Sequence, residues 1–181
     1  MTAHSRNTES VDDTGKVALL PWTRFALRWS GWRPGQRVDS TFFRVSLEEA
    51  GYIFRPSAAA MLQEFGGIAV ALDCSWSKIV LMRWVSMNQF WIGLDERRTL
   101  DPEMTMAQFR NPPLPMAEYE RRVGCGLTPI GGLPSRWWYL LVGENNSVYA
   151  VDQKRIAVVG ESAVAAINRL VYSRDFMREV D

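Results

Sequence analysis

Histidine is almost missing from this chain: the one copy among 181 residues is His4, in a polar opening stretch without aromatic side chains. A folded body without imidazole excludes Ser/His/Asp and Cys/His nucleophilic arrangements and zinc sites that use histidine. Cysteine is nearly as scarce. Cys74 and Cys125 have no metal-site spacing and are too few for a disulfide framework. Lysine is confined to Lys16, Lys78 and Lys154, so the basic charge is almost all arginine, a skew that codon bias in a GC-rich genome accounts for. The formal net charge of +1 supplies no argument for nucleic acid or an anionic membrane surface. No apolar run approaches the ~20 residues of a membrane span, and none near the start is long enough for a signal peptide. A cytoplasmic protein without a membrane partner is expected.

Motifs that carry chemistry are missing too. There is no GxxxxGK[ST] phosphate loop and no GxGxxG; Gly124-Cys125-Gly126 lacks the third glycine and reads as a turn. Glu48-Glu49, Asp95-Glu96, Asp101 and Glu103 sit among arginines and read as solvated surface charge rather than an acid–base pair. The expectation is no catalysis, no cofactor and no metal.

What is there is enough to build a core. Eight Trp, eight Phe, five Tyr and 47% hydrophobic content suit one domain of ordinary size. Residues 1–16 and 176–181 read as tails around a single domain over 17–175. The stretch Ser57 to Leu72 organises the rest. Ala58, Met61, Leu62 and Phe65 form one helical stripe, with Ser57 expected to cap its start and Gly66 to end it in the left-handed region. From Ile68 the period drops to two, so a helix runs into a strand.

Before that junction, a helix after Pro21 is predicted, capped by Thr23, with Phe25, Leu27 and Trp29 as its apolar members. Gly31 terminates it and folds Trp32 back on its last turn. Pro34-Gly35 is a turn. A second helix starts near Asp39 or Ser40, carries Phe43, Leu47 and Ala50, and stops at Gly51. After the junction, strands are predicted over Ile68–Cys74 and Ile79–Val85, the latter apolar on both faces and therefore central. Residues 86–117 form a long connection that includes a short strand over Phe90–Leu94. A helix over Met116–Val123 is closed by Gly124. Leu127–Ile130 is a strand ending at Gly131-Gly132, with Pro129 implying an edge or a bulge. Trp137–Val142 and Val148–Asp152 form a hairpin across Gly143–Ser147, Ile156–Val159 adds a strand, and a helix closes the domain over Ser162–Tyr172, with Ala163, Ile167, Leu170 and Val171 inward. Strands joined by short turns make an antiparallel sheet. With N-terminal helices and a C-terminal helix flanking it, the fold class is α+β. If Trp138, Leu140 and Val142 face the core, Trp137 and Tyr139 need a covering helix or a partner.

Tryptophan alternates with arginine at Arg28-Trp29, Trp32-Arg33, Arg83-Trp84 and Arg136-Trp137-Trp138. Bases stack on such platforms, but the near-neutral charge disfavours direct nucleic-acid binding. Trp and Arg are also the residue types that dominate protein–protein hot spots, which needs fewer assumptions.

Five pieces stand out in sequence order: Ser30 to Asp39 (SGWRPGQRVD), Ala60 to Gly67 (AMLQEFGG), Glu120 to Gly131, Val148-Tyr149, and Gly160 leading into Ala163 to Leu170. In this order they resemble the SUKH superfamily of bacterial immunity proteins, in its third class. Together they span about residues 22–172. The chain departs from the family pattern at Gln36, where the family usually has arginine, at Gly132, where it tends to have an acidic residue, and over Asn88 to Pro115. The resemblance implies an α+β fold, no catalysis, and tight binding to a cognate toxin domain of a polymorphic-toxin system, a nuclease being one candidate. A housekeeping scaffold domain of the same fold is the alternative, and a neighbouring gene for a secreted toxin separates the two. Because Phe90 to Phe109 departs from the pattern, is a long connection, and mixes large apolar groups with arginine, it is the expected partner surface. Its candidates are Phe90, Trp91, Arg97, Arg98, Met104, Phe109 and Arg110, with the Trp137 and Tyr139 face of the sheet second.

Overall fold

Pro21, whose fixed φ and missing N–H suit the first helical position, opens α1 (Pro21–Trp29). The computed structural model describes residues 17–70, 90–92, 115–133, 138–152, 154–172 and 178–179. α2 (Thr41–Glu49) and α3 (Pro56–Phe65) follow. The predicted cap of α1 holds: Gly31 has φ +92, its N–H donates to the Arg28 carbonyl at 3.0 Å, and Trp32 N–H donates to the Leu27 carbonyl at 2.9 Å. This is the paired bonding of a Schellman motif. α2 ends the same way, with Gly51 at φ +84 and Tyr52 N–H on the Leu47 carbonyl at 2.9 Å. At its start Asp39 Oδ1 accepts from Thr41 N–H at 2.9 Å.

Several local expectations are corrected. Thr23 does not cap α1; it lies inside the helix and is buried, because Pro21 has already taken the first position. The inward stripe is Thr23, Ala26 and Leu27. Phe25 and Trp29 are therefore rotated outward, 44% and 74% exposed. Ser57 does not cap α3 either, since Pro56 opens the helix and leaves Ser57 buried within it. Gly66 is extended (φ −64, ψ 150), and the left-handed residue is Gly67 (φ 73). Packing requires the glycine at 66: a Cβ there would run into the Leu62 carbonyl and lie 3.1 Å from Phe43 Cε2.

The strands β1 (Ile68–Val70), β2 (Phe90–Ile92), β3 (Leu127–Leu133), β4 (Trp138–Gly143), β5 (Val148–Val151), β6 (Ile156–Gly160) and β7 (Arg178–Glu179) form one sheet in sequence order. Every neighbouring pair is antiparallel. With α4 (Met116–Val123) and α5 (Ala163–Tyr172) the architecture is α+β. The expected hairpin is present, its β4–β5 turn closed by Gly143 N–H on the Ser147 carbonyl at 2.9 Å. β3 runs on through Gly131-Gly132, and the Pro129 expectation resolves to a bulge between Pro129 and Gly131 in an interior strand. Arg178–Glu179, in the stretch read as a tail, lies along β6 as an edge strand. The strand expected centrally over Ile79–Val85 lies outside the described residues.

Alternation distributes the strands between two faces. Ile68, Ile92, Ile130, Trp138, Leu140, Val142, Val148, Ala150, Ala157 and Val159 join the main core with residues of α1, α3 and α5. Leu127, Leu141, Tyr149, Val151 and Ile156 turn the other way, against Tyr119 of α4. At Gly160 α5 comes so close that a Cβ would run into the Ala166 backbone. Arg55, ahead of α3, binds the second face together: Nη1 donates to the Leu127 carbonyl at 2.6 Å, Nη2 to Glu120 Oε1 at 2.9 Å and Nε to Glu144 Oε1 at 2.8 Å. Gly126 leaves room for that guanidinium, which a Cβ would strike.

Candidate partner-binding site

Sheet register, rather than sequence proximity, brings two of the expected partner residues together. Trp91 of β2 and Tyr139 of β4 are both Cα partners of Gly132 in β3. The row continues to Ala69 on one side, and through Val151 to Ile156 on the other. Two aromatic positions thus flank a position that has no side chain. Phe90 lies one residue further along β2, paired with Val70 near the β1 edge. Arg97, Arg98, Met104, Phe109, Arg110 and Trp137 lie outside the described residues.

Tyr139 is half-buried and packs against the small cluster of Leu47 and Tyr52, as does Met116 of α4. Trp138 faces the main core as expected, and the Arg155 guanidinium lies 4.9 Å from its ring centroid.

Tyr119 and Asp152, both with shifted pKa, hold one turn in place. Burial pushes the Tyr119 hydroxyl up to about 12, and that hydroxyl donates to the Asp152 carbonyl at 2.6 Å. Burial also pushes the Asp152 carboxyl upward, but N–H groups of Lys154 and Arg155 and the Arg155 guanidinium outweigh it and hold the pKa below its usual value. Both turn N–H groups donate to Oδ1 at 2.8 Å. The bond from Thr41 N–H lowers Asp39, and burial raises Glu64. Among the described residues no group of His, Cys, Asp and Glu is arranged to hold a metal ion. No described helix is long and apolar enough to cross a membrane.

The sequence reading missed the outward face of α1, where Phe25 and Trp29 accompany exposed Arg24 and Arg28. A helical wheel contains the signal. Trp22, Phe25 and Trp29 fall at i, i+3 and i+7, while Thr23, Ala26 and Leu27 make a separate stripe of smaller groups.

Compared with known proteins, residues 21–173 match the family model described as SUKH-3 immunity protein. No curated protein and no solved structure matches the chain.

Proposed function

The chain belongs to the SUKH-3 immunity protein family, and we propose on that footing that it binds a cognate toxin domain and neutralises it by stoichiometric occlusion. The observation that carries this reading is the reach of the match, which takes in every described helix and all but the last strand. The protein works without catalysis, in the cytoplasm, on a toxin of a polymorphic-toxin system. Neutralising a toxin made in the same cell calls for nanomolar binding or better, about −12 kcal/mol. A few anchor side chains then contribute about 2 kcal/mol or more each.

The partner surface draws on Phe90, Trp91, Arg97, Arg98, Met104, Phe109 and Arg110. Support comes from the placement of β2 beside the edge strand β1, and from the composition of the segment that follows. Trp137 and Tyr139 form the second candidate face. The test is co-expression with the toxin domain encoded beside this chain's gene, scored for growth and for co-purification. Rescue with a recovered complex is expected. Growth arrest despite soluble chain, with no complex, overturns the proposal.

A further inference from the structure

We infer that the outer face of α1 is a second contact region for the same toxin domain, and that it receives an acidic surface with an apolar centre. The inference rests on the immunity reading. Trp22 stacks on Phe25 with ring centroids 5.0 Å apart and planes at 21°, and Phe25 meets Trp29 at 6.1 Å. This makes a continuous aromatic ridge over two helical turns. Water meets much of it, since Phe25 is 44% and Trp29 74% exposed. Single exposed apolar side chains are ordinary, but a contiguous exposed ridge on a rigid element marks an interface.

The helix is held firmly. Asn168 of α5, itself buried, donates through Nδ2 to the Ala18 carbonyl at 2.9 Å and accepts from Leu20 N–H at 3.0 Å. Trp22 N–H donates to the Tyr172 hydroxyl at 3.3 Å. Anchors at i, i+3 and i+7 on such a helix fit a groove, and a ridge already ordered loses little entropy when it binds.

Charge selects the occupant. From Val17 to Val38 the chain carries Arg24, Arg28, Arg33 and Arg37 and no acidic residue, and all four arginines are exposed. A second copy docking through the same face would set arginines against arginines, because a two-fold interface pairs each patch with itself. Nucleic acid is disfavoured by the formal net charge of +1 and by a ridge whose rings already stack on one another, leaving few free faces for bases. A protein groove rimmed by carboxylates satisfies both the rings and the arginines. α1 also packs against β1, the neighbour of β2.

The test uses the purified full chain and the toxin domain encoded beside its gene. Phe25→Ala, Trp29→Ala and the double change Arg24→Glu/Arg28→Glu are each checked by thermal melting, and binding is measured over a range of salt. The substituted side chains are exposed, so the variants should melt with wild type. Trp29→Ala should weaken binding about thirtyfold, and the double arginine change should slow association and flatten its salt dependence. Wild-type affinity in all three variants overturns this inference and leaves the immunity reading standing; a wild-type chain that neither binds nor protects overturns both. A poly-dT strand that binds at physiological salt and is lost with the arginine change would assign the face to nucleic acid instead. A dimer that Trp29→Ala dissociates would assign it to a second copy.

Discussion

The ring of Trp32 lies on that of Phe65, centroids 6.0 Å apart and planes 15° from parallel. Trp32 Nε1 also donates to the Glu64 carbonyl at 3.1 Å. The cap of α1 therefore delivers a side chain onto the end of α3, and Gly31 controls that delivery. A Cβ at Gly31 would meet nothing within 4 Å, so Gly31→Ala is charged only for its left-handed backbone, about 1 kcal/mol. Gly66→Ala is different, since its Cβ runs into the Leu62 carbonyl and the backbone must shift, at about 2 kcal/mol or more. Urea unfolding of the two variants should show that order, and equal losses would contradict the packing explanation.

Arg55 is the second test of stability. Its side chain is 11% exposed, while its partners Glu120 and Glu144 are 29% and 60% exposed. Arg55→Met should destabilise by about 2–3 kcal/mol, because the Leu127 carbonyl loses this donor and Glu120, left with the Leu127 N–H, loses its cation in a half-dry site. Glu144→Ala should change stability by no more than about 0.5 kcal/mol, since water screens that pair. A double-mutant cycle in urea separates the two arms. Coupling to Glu144 as large as coupling to Glu120 would contradict the ranking.

Local features were the legible part of this fold. Gly31, Gly51 and Gly124 announce helix ends because a left-handed residue is a property of the backbone alone, and the Gly143 to Ser147 turn works the same way. Features set by tertiary contact could not be read. Arg55 meets Leu127, Glu120 and Glu144 across sequence separations of 72, 65 and 89. The apolar members of α1 are legible in the sequence, but which of them face inward is not: small Thr23 and Ala26 let the helix approach its neighbours, and Phe25 and Trp29 are left outside. Of the candidate site, composition drew attention to Trp91 and Tyr139. That they flank Gly132 depends on strand register, which no local pattern encodes.

Stability should respond to pH through the Tyr119–Asp152 corner. The Asp152 carboxyl has a lowered pKa when folded, so its contribution is present above the unfolded value of about 4 and is lost as pH falls through the folded value. Asp152→Asn should cost about 1 kcal/mol at neutral pH, and the gap to wild type should close in acid. Tyr119 runs the opposite way. Raised to about 12, its contribution is complete below the unfolded value of about 10 and is lost as pH rises through the folded one. Absorbance titration should show a tyrosine that ionises near pH 12, and Tyr119→Phe should remove that late step. A late step that survives in the variant would contradict the assignment.

For the proposed partner surface, Trp91→Ala, Arg98→Ala and Phe109→Ala are the informative single changes. Each variant is first shown to melt cooperatively, then measured against the toxin domain proposed as the partner. A loss of about 2 kcal/mol in at least one folded variant is expected of an interface centre. Wild-type affinity in all three would move the search to the Trp137 and Tyr139 face.

Neutralisation by occlusion has a stoichiometric signature, and titrating a fixed amount of active toxin domain with purified chain measures it directly. Residual toxin activity should fall linearly and reach its floor at one chain per toxin, with a complex of that composition isolated at the end point. Inactivation by far less than one equivalent, or full toxin activity in the presence of excess folded chain, would contradict the account.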